Sequence, residues 1–449
     1  MSINKKSLWL ETIQMAWPAV LESFFVSLAA MIDTMMVSSL GTYAVAAIGL
    51  TTQPKFIALA VFFSCNIAVS ALVARRKGQG DRRNANEVLL TALVFVLVAV
   101  IIITILTVYF APGIIHIAGS NPDTHADGTI YFRIIQGGMI FNVFSLVINA
   151  AQRGSGNTKI AMRTNITSSL VNVTFNYLLI NGHFGFPALK VIGAASATVL
   201  GTVIACIMSF SSLFHKDSYV SIPYIIQEKI RPSFDILRSI TSLSSNFLIE
   251  NFAMRVGFVT TAMIAARLGT DPFAVHQVGM NFLSLGFAFG DGMQVAAVAL
   301  IGRSLGEKKP ELAKQYGTIC QIIGLGISLA LALLLLTEGR FLFSLFFKDP
   351  HVLDMGVTVT RYIMIIVLAQ ISQVIFGGCL RGAGDVKYCL FASLVSVTLI
   401  RSIVTWVLTG GIVNLGLHGI WIGILADQAS RLLFMAPRFF QGKWVEYQI

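Results

Sequence analysis

Nearly uninterrupted apolar runs of about twenty residues recur along the whole chain, and they restrict its fold more than any other feature. Crossing about 30 Å of hydrocarbon takes a helix of about that length. Backbone polar groups cannot stay unpaired in lipid, so these runs are predicted to be helices. A membrane β-barrel would instead show apolar–polar alternation over about ten residues, whereas segment 88–110 is almost continuously apolar.

Composition supports a membrane protein. Only 12% of the 449 residues are charged, against roughly 25% in soluble proteins. The net charge of +11 comes from basic residues between the apolar runs, so we expect no nucleic-acid partner. The five cysteines lie in or beside apolar runs without a CxxC pair, which favours packing over disulfides. No metal-binding, phosphate-loop or nucleophile motif is found, so neither an enzyme nor a cofactor is expected.

The runs predict an all-α polytopic protein with twelve transmembrane helices. The predicted spans are 15–38, 53–74, 88–111, 129–150, 164–182, 191–213, 242–266, 274–302, 316–337, 356–378, 390–411 and 419–437. Basic residues concentrate in alternate loops, such as 75–83, whereas loop 119–128 has none. By the positive-inside rule both termini face the cytoplasm. The first span is expected to be retained rather than cleaved as a signal peptide.

The two halves of the chain repeat each other at a constant offset of 228 residues. The matching landmarks are Glu22 with Glu250, Leu40-Gly41-Thr42 with Leu268-Gly269-Thr270, Arg75 with Arg303, Gly78 with Gly306, Arg153-Gly154 with Arg381-Gly382, and Lys159 with Lys387. We therefore expect two homologous six-helix lobes, 1–213 and 241–449, joined by a cytoplasmic linker at 214–240. An even number of spans gives both repeats the same orientation, with a substrate site expected between them.

Several of these stretches together resemble the multidrug and toxic compound extrusion (MATE) family of secondary transporters. The stretches are Glu22 to Asp33 with Leu40-Gly41-Thr42, their second-half echo, the pair Gln152–Lys159 and Leu380–Lys387, and Asn172 and Asn176 leading to Gly193–Thr198. The resemblance covers essentially the whole chain. It implies two lobes around a central cleft, and export of organic compounds driven by inward flow of H⁺ or Na⁺.

One group of polar residues in the first half is a candidate cation site. Asp33 lies deep in span 1, where an ionisable side chain indicates function because its desolvation is costly. Asn172 and Asn176 share one face of span 5, and Thr198 and Asn142 are expected at a similar depth. Such oxygen ligands suit a small cation or a protonatable carboxylate, although the amides are equally explained by interhelical hydrogen bonds. The resemblance assigns the cation site to Asp33, Asn172, Asn176 and Thr198.

The second half lacks this group. Shifted by 228 residues, Asp33 falls on Thr261, Asn172 on Ile400 and Asn176 on Val404. We therefore expect one cation site, in the first half. Many family members have an aspartate where this chain has Asn176, and the missing carboxylate favours H⁺ over Na⁺ while leaving both open.

Further polar and pliable residues are candidates for the substrate cleft or its gating. Glu22 shares a face of span 1 with Asp33, and Glu250 has either a functional role or a role at the start of span 7. Arg255 is expected to pair with Asp291 or Glu250. The remaining candidates are Gln370, Gln373, Met31, Met254, Phe282 and Phe287, and for each of the last four packing or lipid contact is the favoured explanation. Arg401, Asp427 and Arg431 instead resemble structural charges near helix ends, with Asp427 and Arg431 spaced as an intrahelical pair.

The sequence thus predicts a secondary-active multidrug exporter, a cation/organic compound antiporter working by alternating access. Its expected partners are the lipid bilayer and small, amphiphilic organic substrates, and we expect a monomer in the cell membrane. The alternative within the same superfamily is a flippase for lipid-linked precursors, which Arg255 keeps open. A channel or a membrane enzyme is disfavoured, because neither a selectivity-filter loop nor a catalytic group of residues is found.

Overall fold

A computed structural model describes residues 5–38, 40, 42–118, 120, 122–215, 218–268, 270–344, 347–411 and 413–446. The helices of the first half are α1 (Lys5–Ser38), α2 (Thr42–Gly78), α3 (Arg82–Tyr109), α4 (Ala111–Ile117), α5 (Pro122–Gly137), α6 (Met139–Gly154), α7 (Thr158–Ile180), α8 (Lys190–Ser212) and α9 (Ile222–Gln227). Those of the second half are α10 (Phe234–Arg267), α11 (Thr270–Gly306), α12 (Pro310–Ser344), α13 (Pro350–Ala383), α14 (Val386–Ser393), α15 (Ser402–Trp406) and α16 (Leu417–Gln441).

The all-α fold with twelve spans is confirmed, and two of the spans are irregular. The fourth consists of α5 and α6, which meet at Gly138 with a bend of 44°. The eleventh consists of α14 and α15 joined by π-helical turns at Leu394–Arg401, and it ends in further π-helical turns at Val407–Gly411. Several helices extend beyond the apolar runs; α1 begins at Lys5 instead of residue 15, because hydropathy marks only the part of a helix that lies in lipid.

Hydropathy alone identifies fewer than twelve spans in the described part of the chain. Within the described residues, eight helices are long and apolar enough to cross a membrane, or nine if the bent pair α5–α6 is one span. The fully described helices α7 and α16 are not among them. Both carry polar residues, Asn172 and Asn176 on α7 and Asp427 and Arg431 on α16. Polar residues within a helix can therefore hide a span from a search on hydropathy alone.

The described chain divides into two compact units. The N-unit is Leu21–Ser244, and the C-unit is Met1–Val20 with Ser245–Ile449, so the division falls within α1. In the N-unit, α7 packs along α8 and α2 packs against α3, α5 and α6. In the C-unit, α13 packs against α11, α12 and α16, and its C-terminal part from Gln370 to Ala383 is buried. The lobe bounds drawn from the sequence stay a prediction.

The repeat seen in the sequence recurs in the backbone. Gly156 and Gly384 both take a left-handed conformation, with φ of 89° and 93°, which a glycine adopts without steric cost. Gly154 lies so close to the backbone oxygen of Ser70 that a side chain would collide with it. Gly382 lies equally close to the backbone of Val298, and the partners are again 228 residues apart. Each unit therefore uses the same close approach of two helices.

The described residues of segment 214–240, expected to be a linker, belong to the N-unit and are partly helical. They include α9 and the first turns of α10. Arg82 donates hydrogen bonds to the backbone oxygens of Ser218 (3.0 Å) and Tyr219 (3.1 Å), and its guanidinium lies over the Tyr224 ring. Asn86 accepts from the Ser221 amide at 2.8 Å. Burial, and then the nearby Asp81 charge, raise the pKa of the Tyr219 hydroxyl. Arg82 thus anchors this segment as well as contributing to the positive-inside charge.

Candidate functional site

The structure brings together the four residues of the expected cation site. Asp33 is on α1, Asn172 and Asn176 are on α7, and Thr198 is on α8. Asn176 donates a hydrogen bond to the Asp33 carboxylate. Asn172 donates to the Thr198 hydroxyl at 3.0 Å, and that hydroxyl donates to the backbone oxygen of Ala194 at 3.0 Å. We call Asp33, Asn172, Asn176 and Thr198 the Asp33 cluster.

Close packing of α7 on α8 makes this cluster possible. Gly201 on α8 lies so near α7 that a Cβ atom there would be 2.7 Å from the Ser168 backbone oxygen and 3.3 Å from the Asn172 Cβ. Since Thr198 lies one turn before Gly201, the same approach puts its hydroxyl within reach of Asn172. The glycine therefore helps to set the hydrogen-bond geometry of the cluster.

The Asp33 cluster retains an unused acceptor. Asn176 is fully buried, and its Oδ1 has no hydrogen-bond partner among the described residues. Buried polar atoms are normally paired, because an unpaired one loses its bonds to water. Tyr131 on α5, also buried, interacts with both Asp33 and Thr198. A free amide oxygen next to a carboxylate is chemically suited to a small cation or a proton-bearing partner.

A small cavity adjoins the cluster, and it includes residues that the sequence analysis missed. Its volume is about 160 Å³, and its polar lining is Lys55, Gln136, Asn142, Thr198 and Thr202. Asn142 lies at this cavity, and no hydrogen bond from it to Asp33 is seen in the described residues. Gln136 is fully buried, and neither of its amide atoms has a partner there. The cavity is thus lined by polar groups with unused bonding capacity.

Lys55 on α2 is the main addition to the sequence-based site. Its ammonium interacts electrostatically with the Asp33 carboxylate. The sequence signal that would have found it is a charge just inside the apolar run 53–74, since an ionisable residue within a span indicates function. Only the tertiary structure shows that this charge lies near Asp33.

The two candidate glutamates form matching buried clamps, one in each unit. In the N-unit, Glu22 accepts from Arg153 at 2.8 Å and from Asn165 at 2.6 Å. In the C-unit, Glu250 accepts from Arg381 and from Ser393, both at 2.6 Å. The partners are 131 and 143 residues away from the glutamate in both cases. We call these contacts the Glu22 clamp and the Glu250 clamp.

The Glu250 clamp corrects one expectation. Glu250 lies in the middle of α10, which begins at Phe234, so it has no role at the start of a helix. Its ion-pair partner is Arg381. Asp291 also interacts electrostatically with Arg381. Arg153 and Arg381, near the ends of α6 and α13, were noted in the sequence as matching landmarks of the repeat, and the structure shows that they reach back to the glutamates.

The C-unit has its own buried polar cluster, where the sequence predicted none. Asp427 pairs with Arg431 at 2.9 Å, as the i, i+4 spacing predicted, and also with Arg401 at 3.5 Å. Arg401 donates to the Thr261 hydroxyl at 2.9 Å. All four side chains are buried. Thr261 is the repeat counterpart of Asp33, so a guanidinium stands beside the position that is acidic in the N-unit.

Most of the remaining candidates lie in the C-unit, at separate places. Gln373 donates to Gln428 at 3.1 Å, and Gln370 is fully buried with neither amide atom paired in the described residues. Met254 accepts a weak contact from Arg431 at 3.7 Å. Phe282 packs edge-on against Phe343 in the core, and Phe287 is half-buried. The side chain of Met31 lies outside the described residues.

The described residues contain no group of three His, Cys, Asp or Glu side chains placed to hold a metal ion. Any cation at the Asp33 cluster would therefore be bound by one carboxylate with amide and hydroxyl oxygens. Such a ligand set suits a proton or a weakly held, exchangeable ion better than a tightly bound metal.

Known proteins resemble this chain along almost its whole length. It is 26% identical over 439 residues to a probable multidrug resistance protein NorM of Thermotoga maritima, covering 97% of this chain and 92% of that protein. A crystal structure of MATE in the straight conformation has 22% identity and a TM-score of 0.90 over 97% of both chains. A MOP superfamily transporter from Pyrococcus furiosus, described as having a binding pocket of reverse polarity that suggests a different function, has 21% identity and a TM-score of 0.89 over 98% of this chain and 97% of that one.

The MatE family model matches the chain twice, at residues 18–178 and 247–407. The two matches cover more than half of the sequence, and their separation agrees with the internal repeat to within one residue. Together with the fold, these matches establish a multi-pass membrane protein built from two copies of one unit. The chain belongs to the MatE family of membrane transporters.

Proposed function

We propose that this protein exports small, amphiphilic organic compounds, including drugs, in exchange for H⁺ or Na⁺ by alternating access. The observation that carries the proposal is the Asp33 cluster: a carboxylate on a membrane helix, bonded to Asn176 on α7, beside a polar cavity. Because desolvating an ionisable group in a membrane helix is costly, such a residue indicates a functional site. The name of the Thermotoga maritima relative supports multidrug export.

In this proposal the cation and the substrate bind different conformations. A cation that reaches Asp33 changes its bonds to Asn176 and, through Asn172, those to Thr198 on α8. A ligand shifts a conformational equilibrium only by its difference in affinity for the two states. Cation binding therefore drives export if it favours the state that holds the substrate weakly. The protein is expected to act as a monomer in the cell membrane, with both termini in the cytoplasm.

The proposal is tested by transport in proteoliposomes that contain the purified protein. Movement of the cationic dye ethidium is followed by fluorescence under an imposed pH gradient and, separately, under an imposed Na⁺ gradient. We expect one gradient to drive transport and Asp33→Asn to abolish it. Asp354→Asn is the matched control, because Asp354 is an exposed partner of Arg340. Ethidium transport that ignores both gradients would contradict the proposal.

A second candidate is a flippase for anionic, lipid-linked precursors. It is favoured by the C-unit cluster, in which two arginines share one aspartate, and by Arg431 Nη2, which is buried and has no partner among the described residues. The reverse pocket polarity described for the Pyrococcus furiosus transporter agrees with it. Movement of a fluorescent lipid-linked pyrophosphate between leaflets, with no ethidium transport, would establish the flippase and exclude the exporter.

A further inference from the structure

Lys55 occupies an unusual position for a lysine in a membrane helix. Its side chain is half-buried on α2 and lines the 160 Å³ cavity, to which it contributes the only charge among the described lining residues. The same cavity contains Thr198, a member of the Asp33 cluster. The Lys55 ammonium and the Asp33 carboxylate interact electrostatically. A positive charge is therefore already present where the cluster would hold an ion.

The other groups around Asp33 do not offset this charge. Within the described part of the chain, none of the polar residues around Asp33 and the cavity is acidic: they are Tyr131, Gln136, Asn142, Asn172, Asn176, Thr198 and Thr202. A sodium site depends on net negative ligand charge, and Asp33 supplies one negative charge only. With Lys55 beside it, the cluster has no net negative charge to offer to a second cation.

Lys55 is not required at this place for packing. Its repeat counterpart is Leu283, which is buried at 1% exposure in the apolar core of the C-unit. The equivalent position of the fold thus accepts an uncharged side chain. A lysine that only reached for the membrane surface would direct its ammonium towards water, whereas Lys55 lines the cavity next to the cluster.

We propose that Lys55 is a built-in counter-cation of Asp33, which occupies the place of a sodium ion and excludes Na⁺ from the Asp33 cluster. The inference deepens the proposed function, on which it rests, by assigning ion selectivity to one residue. In a low-dielectric setting two like charges a few ångströms apart repel strongly. Sodium can enter only if the Lys55 charge is removed or displaced.

Equilibrium binding of ²²Na⁺ to the purified protein in lipid nanodiscs tests this inference without any transport. We expect no saturable Na⁺ binding in the wild type. Lys55→Met and Lys55→Gln each remove the charge at nearly constant length and should raise Na⁺ affinity by about 100-fold. Lys55→Arg keeps the charge and should restore the exclusion. Lys159→Met, which removes an exposed lysine of the same unit, should leave binding as in the wild type.

The gain must also depend on Asp33. Adding Asp33→Asn to Lys55→Met should abolish the new Na⁺ binding. Saturable, Asp33-dependent Na⁺ binding by the wild type would overturn the inference, as would the absence of a gain in either folded neutral variant. The ethidium assay is read separately: if no gradient drives dye transport, the proposed function fails while the binding result still decides the role of Lys55.

Discussion

The Asp33 cluster of the N-unit and the Thr261 position of the C-unit are repeat counterparts with opposite chemistry. In the N-unit a carboxylate bonds to Asn176 beside a cavity that contains Lys55. In the C-unit a threonine accepts from Arg401, which is itself paired with Asp427. Arg401 is a permanent cation in a fully buried setting. The N-unit therefore has a carboxylate at this position of the repeat, whereas the C-unit has a hydroxyl bonded to a guanidinium.

Other repeat counterparts have not diverged. The Glu22 and Glu250 clamps each pair a glutamate with an arginine 131 residues further along the chain, and both residues are repeat counterparts. The close helix approaches at Gly154 and Gly382 are also the same. The comparison separates architecture, which both units share, from the proposed ion site, whose residues only the N-unit has. Duplication alone would have left both sites alike.

The largest expected effect is loss of stability when either clamp is broken. Arg153→Met and Arg381→Met each leave a buried glutamate unpaired, which costs about 3–5 kcal/mol. Reversible unfolding in mixed micelles would measure it. Adding Glu22→Gln to Arg153→Met should recover most of the loss. Arg340→Met is the control, because its exposed pair with Asp354 contributes about 1 kcal/mol or less. A large loss in one unit only would show that the clamps are not equivalent.

The second-largest effect is expected on transport, and it tests whether only the N-unit couples export to a cation. Asp33→Asn is expected to lower gradient-driven ethidium export by about 100-fold, because its carboxylate is the cation-binding charge. The fold and the stability should change little, since asparagine has nearly the same shape. The C-unit counterpart Thr261→Val should leave the gradient dependence intact. If both variants uncouple transport equally, the functional difference between the units is disproved.

A smaller effect is expected from Thr261→Val on stability. The change removes the acceptor for Arg401 Nε and leaves a buried donor unpaired, at a cost of about 1–3 kcal/mol. Thermal unfolding in detergent would show a lowered midpoint. Thr337→Val, on an exposed face of α12, is the control and should have almost no effect. An unchanged midpoint for Thr261→Val would mean that Arg401 is held by Asp427 alone.

The smallest effect concerns a contact that only the N-unit has. Arg82→Met removes two hydrogen bonds to the linker backbone, and Pro310 occupies the repeat counterpart of Arg82. We expect a loss of about 1 kcal/mol and faster proteolysis near Tyr219, with transport retained. Limited digestion followed by mass spectrometry would locate the cleavage, and Arg83→Met is the neighbouring control. Unchanged digestion would show that α9 is held by other contacts.

Much of the fold was accessible from the sequence, and the candidate site only in part. The twelve spans, the repeat and the Asp33 group follow from hydropathy, a constant offset and polar residues in apolar runs. Lys55 and Gln136 were missed, because what marks them is the cavity that they share with residues of other helices, which the sequence does not show. Arg381 was missed as the ion-pair partner of Glu250, because it lies 131 positions away along the chain.

The sequence by itself determined that this chain spans a membrane with helices and that its halves are copies. The cost of burying unpaired backbone groups in lipid leaves few alternatives to an apolar helix. The tertiary structure alone decided which polar side chains meet: Lys55 with Asp33, Arg401 with Thr261, and the arginines of α6 and α13 with the glutamates. Those contacts depend on differences of an ångström in helix packing, which are set by close approaches such as that of Gly201 of α8 to α7. No pattern along a single helix shows these approaches.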